Sequence, residues 1–396
     1  MYAPLQLQKN EDRRLRAGHL WVFSNEVDTQ RTPLTAFEPG EPVTILGHGG
    51  HPLGMGYVNP HSLICARLVS RDADALLDQT LIEKRVAGAL ALREKLYDSP
   101  FYRLFYGESD GLPGLVLDRY GDLVVGQATT AGIQRLAGDV EQAVKSVLSP
   151  AAMLWRNDVP VRALEGLEQS TTVAFGEVPE TLALQEGGVN FTVSPRTGQK
   201  TGWFYDQRAS RDRLPVYARG SRVLDLYSFT GAWGLRAARE GASEVTCVDA
   251  SQAALDQLEA DAASNGLGER VATRCADAVA ALKDLTATEQ RFDLVILDPP
   301  AFIKRKKDLK AGTAAYRRVN ELAMRVVAKD GFLVSCSCSW HLGAGQLADV
   351  LRRSAKATGK RLQLLERLGQ SPDHPVHPAI PETHYLKGFI ARVAGE

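Results

Sequence analysis

Two cysteines at alternate positions are the residues of this sequence whose chemistry most needs an explanation. They occur in "GFLVSCSCSWHL" (331–342), where the apolar run predicts a β-strand that carries Cys336 and Cys338. Residues two apart in a strand lie on one face, about 7 Å from each other. A thiolate at an open strand end is a nucleophile, whereas a buried cysteine is a small apolar side chain. The elements around the strand therefore decide which chemistry applies.

The bulk composition excludes several classes of protein. The chain has 396 residues, which suggests two or three domains, and 47 basic against 47 acidic residues, so any nucleic-acid surface must be a local patch. No CxxC pair and no histidine cluster at metal spacing occurs among the scattered cysteines, so we expect neither a disulfide framework nor a metal site. The N-terminus lacks an apolar segment and no run reaches 18 apolar residues, so we expect a cytoplasmic protein without a membrane partner.

Three regions of the chain differ in their sequence pattern. Residues 1–72 contain short β-type runs between Gly- and Pro-rich turns, which predicts a small barrel or sandwich. Residues 73–188 begin with a helical pattern capped near Asp78 or Thr80, and "LVLDRYGDLVV" predicts a hairpin with a tight turn at Gly121. Residues 189–396 alternate strand-like and helical runs, which predicts an α/β fold with a parallel sheet covered on both faces. The last strand, "HYLKGFIARV", follows its predecessor without a helix, so we expect it to lie antiparallel at the sheet edge.

Acidic residues follow four successive strands of the α/β region, where open sheets bind their ligands. The first strand passes into "LDLYSFTGAWG", in which Gly231 and Gly234 would let a ligand approach the backbone. Any one such aspartate is most simply a helix cap or turn former. Four in order, with the glycine turn on the first, favour a nucleoside-bearing cofactor, and the absence of GxGxxG disfavours a plain dinucleotide. The four acids are Asp225, Asp249, Asp277 and Asp298.

This pattern resembles the class I S-adenosylmethionine-dependent methyltransferase fold. The resemblance implies that Asp249 binds the ribose, that Asp277 contacts the adenine, and that "LDPPAF", with Asp298, is the catalytic loop. It also implies that the loop on the methionine side of the cofactor contains Asp225, Tyr227, Phe229 and Gly231. Lys200 and Arg208 in "TGQKTGWFYDQR" are candidates for binding the methionine carboxylate, although the three aromatic residues between them equally suit packing.

A closer resemblance covers nearly the whole chain. "ESDGLPGLVLDRYGD", "TGQKTGWFYDQR", "LDPPAF", "SCS" and "YLKGF" are similar to motifs of the large-subunit (23S) ribosomal RNA cytosine-5 methyltransferase family. The resemblance implies a PUA-like RNA-binding β-barrel (1–72), a mixed α/β middle domain (73–188) and a Rossmann-like catalytic domain with a seven-stranded, mostly parallel sheet (189–396). It also implies S-adenosylmethionine as cofactor and large-subunit ribosomal RNA as partner.

Methylation of cytosine at carbon 5 explains a cysteine at the strand end. That carbon is a poor nucleophile, and addition of a thiolate to carbon 6 turns it into an enamine-like centre. Cys338 is the more C-terminal cysteine and matches the family's Ser-Cys-Ser motif, so we assign it as the nucleophile, with Asp298 engaging the cytosine ring. Cys336 then lies deeper as a small apolar residue. The plainer interpretation, that both cysteines only pack in the core, stays open.

Other functions stay open at this point. "DPP" followed by an aromatic residue is close to the loop of enzymes that methylate exocyclic amines of guanine or adenine, although Phe302 comes one residue late. Under that alternative both cysteines are inert. A small-molecule methyltransferase is disfavoured by the two-part N-terminal extension, and a non-catalytic RNA-binding protein is disfavoured by the intact glycine turn and acid series.

Two basic clusters are candidates for RNA phosphates. One lies directly after the catalytic loop, at Lys304, Arg305, Lys306 and Lys307, and the other is Arg13 and Arg14 in the N-terminal region, near Trp21 and Phe23. Most charge runs are merely solvated, but the position of the first cluster beside the catalytic loop favours phosphate contact. A homodimer fits the frequency of two-fold symmetric oligomers among soluble proteins.

Overall fold

A computed structural model describes residues 2–199 and 201–395 of the chain. Two compact units are formed by segments that alternate along the sequence. The N-terminal unit combines Met1–Leu182, Val193–Tyr205 and Pro372–Thr383, and the catalytic unit combines Ala183–Thr192, Asp206–Ser371 and His384–Glu396. The predicted division into three domains at residues 72 and 188 stays a prediction.

The first sheet of the N-terminal unit has five strands in the order β1-β3-β4-β5-β2. Its apolar core includes Leu5, Val43 and Ile45, all fully buried. The short helix α1 (Arg13–Arg16) lies between the first two strands in sequence. The strands are β1 (Ala3–Gln6), β2 (Trp21–Val22), β3 (Glu41–Leu46), β4 (Pro52–Val58) and β5 (Ala66–Ser70).

The second sheet of this unit has the order β10-β9-β8-β7-β6. Helix α2 (Gln79–Leu96) begins where Asp78 accepts a hydrogen bond from the Leu81 amide, which confirms the predicted cap. β7 and β8 pair antiparallel across the predicted tight turn at Gly121. The strands are β6 (Phe101–Tyr106), β7 (Leu115–Tyr120), β8 (Leu123–Ala128), β9 (Ala152–Arg156) and β10 (Thr171–Phe175), and the further helices are α3 (Ala131–Arg135) and α4 (Ala137–Leu148).

A buried arginine ties the C-terminal segment of this unit to its sheet. The Arg93 side chain is fully buried and donates to both carboxylate oxygens of Asp110. It also donates to the Asp373 carbonyl at 2.8 Å, and the Asp373 carboxylate accepts from the Arg103 amide. Because a buried guanidinium needs such partners, residues near 373 complete the interior of the N-terminal unit.

The catalytic unit contains a seven-stranded sheet in the order β15-β14-β13-β16-β17-β19-β18. Four of its pairings are parallel and the two that involve β19 are antiparallel, so the sheet is mixed. Its strands are β13 (Arg222–Leu226), β14 (Glu244–Asp249), β15 (Val271–Cys275), β16 (Phe292–Leu297), β17 (Val327–Ser337), β18 (Lys360–Gly369) and β19 (Lys387–Gly395). A separate two-stranded sheet is formed by β11 (Leu182–Glu186) and β12 (Val189–Val193).

Buried apolar strands and capped helices explain this α/β region. In β16, "FDLVIL" has one exposed residue, as a strand covered on both faces requires. Ser251 and Asp277 accept hydrogen bonds from amides in the first turns of the helices that follow them. The helices are α5 (Arg208–Arg211), α6 (Pro215–Ala218), α7 (Gly234–Arg239), α8 (Gln252–Ser264), α9 (Ala278–Ala287), α10 (Leu309–Val326) and α11 (Ala344–Ala357).

The last strand was expected at the sheet edge, and that expectation is wrong. β19 is antiparallel, as predicted, but it lies between β17 and β18, with Ser337 and Gly369 both opposite Lys387. Most residues of β19 are buried, whereas β18 exposes half of its residues, buries only one and forms the edge. The apolar composition of β19 is that of an inner strand.

Candidate active site

The loop after β13 is held in an unusual backbone conformation. Tyr227 and Phe229 have φ values of 63° and 48°, and Gly231 has 82°. Non-glycine residues in the left-handed region are uncommon and concentrate at functional sites. The Phe229 amide donates to the Asp249 carboxylate at 2.9 Å, which fixes this loop to the end of β14. The predicted methionine-side loop is therefore a rigid structure built around three left-handed residues.

Asp225 lies beneath this loop as a buried carboxyl group. One oxygen accepts from the Gly234 amide at 2.9 Å, and the other has no hydrogen-bond partner among the described residues. Burial raises the pKa of Asp225 well above its usual range, and the negative charges of Asp298 and Asp249 raise it further against the effect of the Gly234 N–H. Three of the four predicted acids are thus brought close enough to interact electrostatically.

Asp249 and Asp277 both accept hydrogen bonds from backbone amides. Asp249 accepts from Ser251 at 2.9 Å as well as from Phe229. Asp277 accepts from the Ala280 amide at 3.0 Å and caps α9. The capping role considered from the sequence therefore applies to Asp277, and whether it also contacts an adenine stays a prediction.

The chemistry of this donor set fits S-adenosylmethionine. The cofactor carries an ammonium and a sulfonium cation, and a buried carboxyl group with an unpartnered oxygen beside two further acids favours a bound cation. The Ser228 hydroxyl is also buried without a partner among the described residues, so it is available to a polar ligand group. The end of β13 and the loop after it thus offer both an acceptor, on Asp225, and a hydroxyl, on Ser228.

Two residues were predicted to bind the methionine carboxylate, and the structure describes one of them. Lys200 lies outside the described residues. Arg208 is buried and forms an ion pair with Glu186 at 3.4 Å, and Arg211 binds the same carboxylate. The charge of Arg208 is therefore partly matched within the protein, and its contact with a cofactor stays a prediction.

The Asp-Pro-Pro loop after β16 is held in place by side chains that the sequence did not single out. Both carboxylate oxygens of Asp298 accept hydrogen bonds, one from Gln207 Nε2 at 2.9 Å and the other from Trp233 Nε1 at 3.0 Å. Phe302 packs between aromatic rings, 4.7 Å from Tyr316 and 6.5 Å from Tyr227, centroid to centroid. These donors hold the Asp298 carboxylate in one orientation.

The two cysteines are in different environments. β17 ends at Ser337, so Cys338 lies one residue beyond the strand and is half-buried. Cys336 is inside the strand and 1% exposed. Burial raises the pKa of the Cys336 thiol well above its usual range, and the nearby Asp298 charge raises it further, although a hydrogen bond with Gln207 opposes this. The Cys336 environment therefore disfavours a thiolate.

A hydroxyl network holds the turn that carries Cys338. The Tyr316 hydroxyl lies 2.9 Å from the hydroxyls of both Ser337 and Ser339. Ser339 Oγ also accepts from the Ile303 amide at 3.1 Å, which joins this turn to the Asp-Pro-Pro loop. Lys387 Nζ donates to the Ser339 carbonyl at 2.6 Å. Cys338 and the Asp298 loop are therefore fixed at the same edge of the sheet.

The predicted RNA-binding residues lie at the surface of each unit. Lys304, Arg305, Lys306 and Lys307 are exposed, and Arg305 forms an ion pair with Asp308 at 3.2 Å. In the N-terminal unit, Arg13 contacts Asn10 and Arg14 forms an ion pair with Glu26 and lies over the Phe23 ring. The three lysines carry charges without an acidic partner among the described residues, whereas the charge of Arg14 is matched.

Four residues of the site were missed from the sequence: Gln207, Trp233, Tyr316 and Lys387. Gln207 and Lys387 lie inside family-like motifs, "TGWFYDQR" and "YLKGF", and a lysine in an otherwise apolar strand is a signal that was available. Trp233 likewise lies inside "LDLYSFTGAWG", whereas Tyr316 gave no local signal, because its role depends on contacts between distant segments. Among the described residues there is no helix long and apolar enough to cross a membrane, and no group of three or more metal-ligating side chains.

Comparison with known proteins gives two family matches and several full-length relatives. A PUA-like domain model matches residues 5–71, and a model described as S-adenosylmethionine-dependent methyltransferase matches residues 162–388. The protein named ribosomal RNA large subunit methyltransferase I of Aliivibrio fischeri (strain MJ11) is 36% identical over 99% of this chain and 100% of its own length. The protein of the same name from Alteromonas mediterranea is 34% identical over 100% of both chains.

Solved structures share the fold. A putative SAM-dependent methyltransferase from Streptococcus mutans covers 99% of this chain and 100% of its own, with a TM-score of 0.82 and 21% identity. A putative methyltransferase complexed with SAH has a TM-score of 0.83 at 21% identity, with the same coverage. These similarities confirm a class I methyltransferase fold preceded by a PUA-like domain.

Proposed function

This chain belongs to the S-adenosylmethionine-dependent methyltransferase family, together with the relatives named ribosomal RNA large subunit methyltransferase I, and from that membership we propose that it methylates carbon 5 of a cytidine in large-subunit ribosomal RNA. It is a methyltransferase that uses S-adenosylmethionine. Beyond this membership, we propose the position of methylation on the base and the role of a cysteine in the reaction.

The environment of Cys338 supports carbon 5 as the target. The thiol is half-buried at the carboxyl end of β17, in a turn that Ser339 joins to the Asp-Pro-Pro loop. Open α/β sheets bind their ligands at this edge. An exocyclic amine needs no sulfur nucleophile, whereas carbon 5 of a pyrimidine does. The position of the Cys338 thiol, half-buried at the carboxyl end of β17, is the single observation on which this proposal rests.

The chain's own residues supply the covalent steps. The Cys338 thiolate forms a bond from sulfur to carbon 6 of the cytosine, and the electron pair of the carbon 5–carbon 6 double bond moves toward carbon 4 and N3. N3 takes up a proton as that charge collects there and gives it back when the adduct collapses, and we assign to the Asp298 carboxyl group, oriented by Gln207 and Trp233, the role of engaging the ring nitrogen and amino group and carrying that proton. When bound, S-adenosylmethionine supplies an electrophilic methyl group. Loss of the carbon 5 proton then restores the double bond and expels the Cys338 thiolate.

Nucleoside analysis tests the proposal. The protein is incubated with large-subunit ribosomal RNA that lacks the modification and with methyl-labelled S-adenosylmethionine, and the RNA is digested to nucleosides. We expect labelled 5-methylcytidine. A labelled N-methylated guanosine or adenosine would overturn the assignment to carbon 5 and would favour the Asp-Pro-Pro loop acting on an amine.

A pair of cysteine variants provides the matched control. Cys338→Ala should abolish labelling and leave cofactor binding intact. Cys336→Ala removes a fully buried thiol from the same strand and should retain activity, with a loss of about 1 kcal/mol in stability. Equal loss of activity in both variants, with lowered thermal stability in both, would mean that the two cysteines are core residues.

A further inference from the structure

Lys387 is a buried lysine at the first position of β19. Its side chain is 5% exposed, and the residue before it, Leu386, is 2% exposed. Its neighbours across the sheet are Ser337 of β17 and Gly369 of β18, neither of which carries a charge. Lysine is almost never buried unless its charge is paired, because removing an ammonium group from water costs free energy. The position therefore needs an explanation.

No carboxylate explains it. Among the described residues none forms an ion pair with Lys387, and its hydrogen bond goes to the Ser339 carbonyl at 2.6 Å. Ser339 is the residue that follows Cys338. The ammonium group thus binds the backbone of the turn that carries the thiol, at the carboxyl end of β17.

The titratable group that acts on Lys387 is Cys338. Burial lowers the pKa of Lys387 to about 8, and the charge of Cys338 acts against this and raises it. No other titratable group among the described residues contributes to the shift of Lys387. Because an electrostatic interaction is mutual, a thiolate that stabilises this ammonium is stabilised by it to the same extent.

We infer that Lys387 is a positioning residue for the nucleophile: its ammonium group holds the Cys338 turn through Ser339 and keeps the Cys338 thiol in its thiolate form. The inference rests on the proposed function, in which Cys338 attacks carbon 6. The thiol proton leaves to solvent, and Lys387 stays protonated and forms no bond to the base. No cation among the described residues acts on Cys336, one pleat repeat earlier, which lies beside the negative charge of Asp298.

Thiol alkylation tests this inference without RNA and without a methyl donor. The full chain is treated with iodoacetamide at a series of pH values, and mass spectrometry follows the peptides with Cys338 and Cys275 separately. Cys275 is an exposed cysteine at the end of β15, four strands away in the sheet, and serves as an internal reference. In the unmodified sequence we expect half-maximal alkylation of Cys338 at a lower pH than that of Cys275.

Two substitutions at Lys387 separate charge from shape. Lys387→Met keeps the length of the side chain without its charge, and should move the midpoint of Cys338 alkylation up by at least one pH unit, an approximately tenfold slower reaction at pH 7. Lys387→Arg should restore part of the reactivity, and Cys275 should not change in either variant.

Each outcome is decisive. A Cys338 midpoint that is not below that of Cys275 in the unmodified chain would overturn the inference, even if a variant failed to fold. So would an unchanged midpoint in a folded Lys387→Met variant. If 5-methylcytidine is formed but the midpoint does not move, only the role of Lys387 fails. If the midpoint moves but the labelled nucleoside is a purine, the proposed function fails instead.

Discussion

Gly234 follows the glycine-bearing turn after β13, and the structure predicts that a glycine is needed there for packing. It is the first residue of α7, and a Cβ atom added there would lie 2.4 Å from the sulfur of Cys247 and 3.1 Å from Asp225 Oδ2. Cys247 is fully buried in β14. Because ordinary contacts between such atoms are about 3.5–4 Å, the strand or the helix has to move in Gly234→Ala.

The size of the effect follows from two opposing terms. Overpacking of a buried site costs about 1–3 kcal/mol, and the better helix propensity of alanine returns only a fraction of about 1 kcal/mol at a first helical position. We therefore expect a net loss of about 1–2 kcal/mol, or a fall in melting temperature of about 2–8 °C for a unit of this size. Cys247→Ala removes the clashing sulfur and by itself costs about 1 kcal/mol.

A double-mutant cycle measures the contact. Melting temperatures are recorded by calorimetry for the unmodified chain, for Gly234→Ala, for Cys247→Ala and for the double variant, and binding of S-adenosylmethionine is titrated for all four. We expect the double variant to be more stable than Gly234→Ala, which requires a coupling larger than the cost of about 1 kcal/mol of Cys247→Ala alone. An unchanged melting temperature in Gly234→Ala, or purely additive losses, would refute the packing argument. A double variant that folds normally but does not bind cofactor would show that the ligand itself approaches Gly234.

Two further predictions concern ligand binding. Asp249→Ala removes the acceptor for the Phe229 and Ser251 amides. Because hydrogen bonds to charged groups contribute about 1.5–3 kcal/mol, this variant should bind S-adenosylmethionine at least about tenfold more weakly in a calorimetric titration. The control, Asp256→Ala on the exposed side of α8, should bind the cofactor normally. Replacing Lys306 and Lys307 together by alanine should weaken RNA binding and lower the slope of log affinity against log salt by about one per lysine. Lys329→Ala, exposed near the amino end of β17, is the control, and equal slopes in the two variants would exclude the basic segment from the RNA contact.

Local patterns in the sequence predict much of this fold and the loops of its site. The order of strands and helices after residue 189, the Asp78 cap and the hairpin at Gly121 depend on short-range periodicity and turn chemistry. The positions of Asp225 and Asp298 follow in the same way, because a strand end is readable from where its apolar run stops.

What the sequence could not predict depends on contacts between distant segments. The place of β19 inside the sheet is decided by pairing with β17 and β18 on either side. The end of β17 before Cys338 is fixed by hydrogen bonds from Tyr316 and Ile303, and alternation alone would have continued the strand. The burial of Lys387 follows from the same pairing of β19 with both neighbours. For that reason the role of Lys387 could not be predicted, although the residue lies in the motif "YLKGF".

The hydrogen bonds of Asp373 determine when, during synthesis on the ribosome, the N-terminal unit can complete its folding. Synthesis runs from the N-terminus at about 5–20 residues per second, and N-terminal domains generally fold first as they emerge. Here the N-terminal unit includes Pro372–Thr383, and the buried Arg93 side chain reaches one of its partners only in that segment. The first unit to be translated therefore cannot reach its final state until residues 372–383 have been synthesised. A chain cut before residue 372 would lack segments of both units.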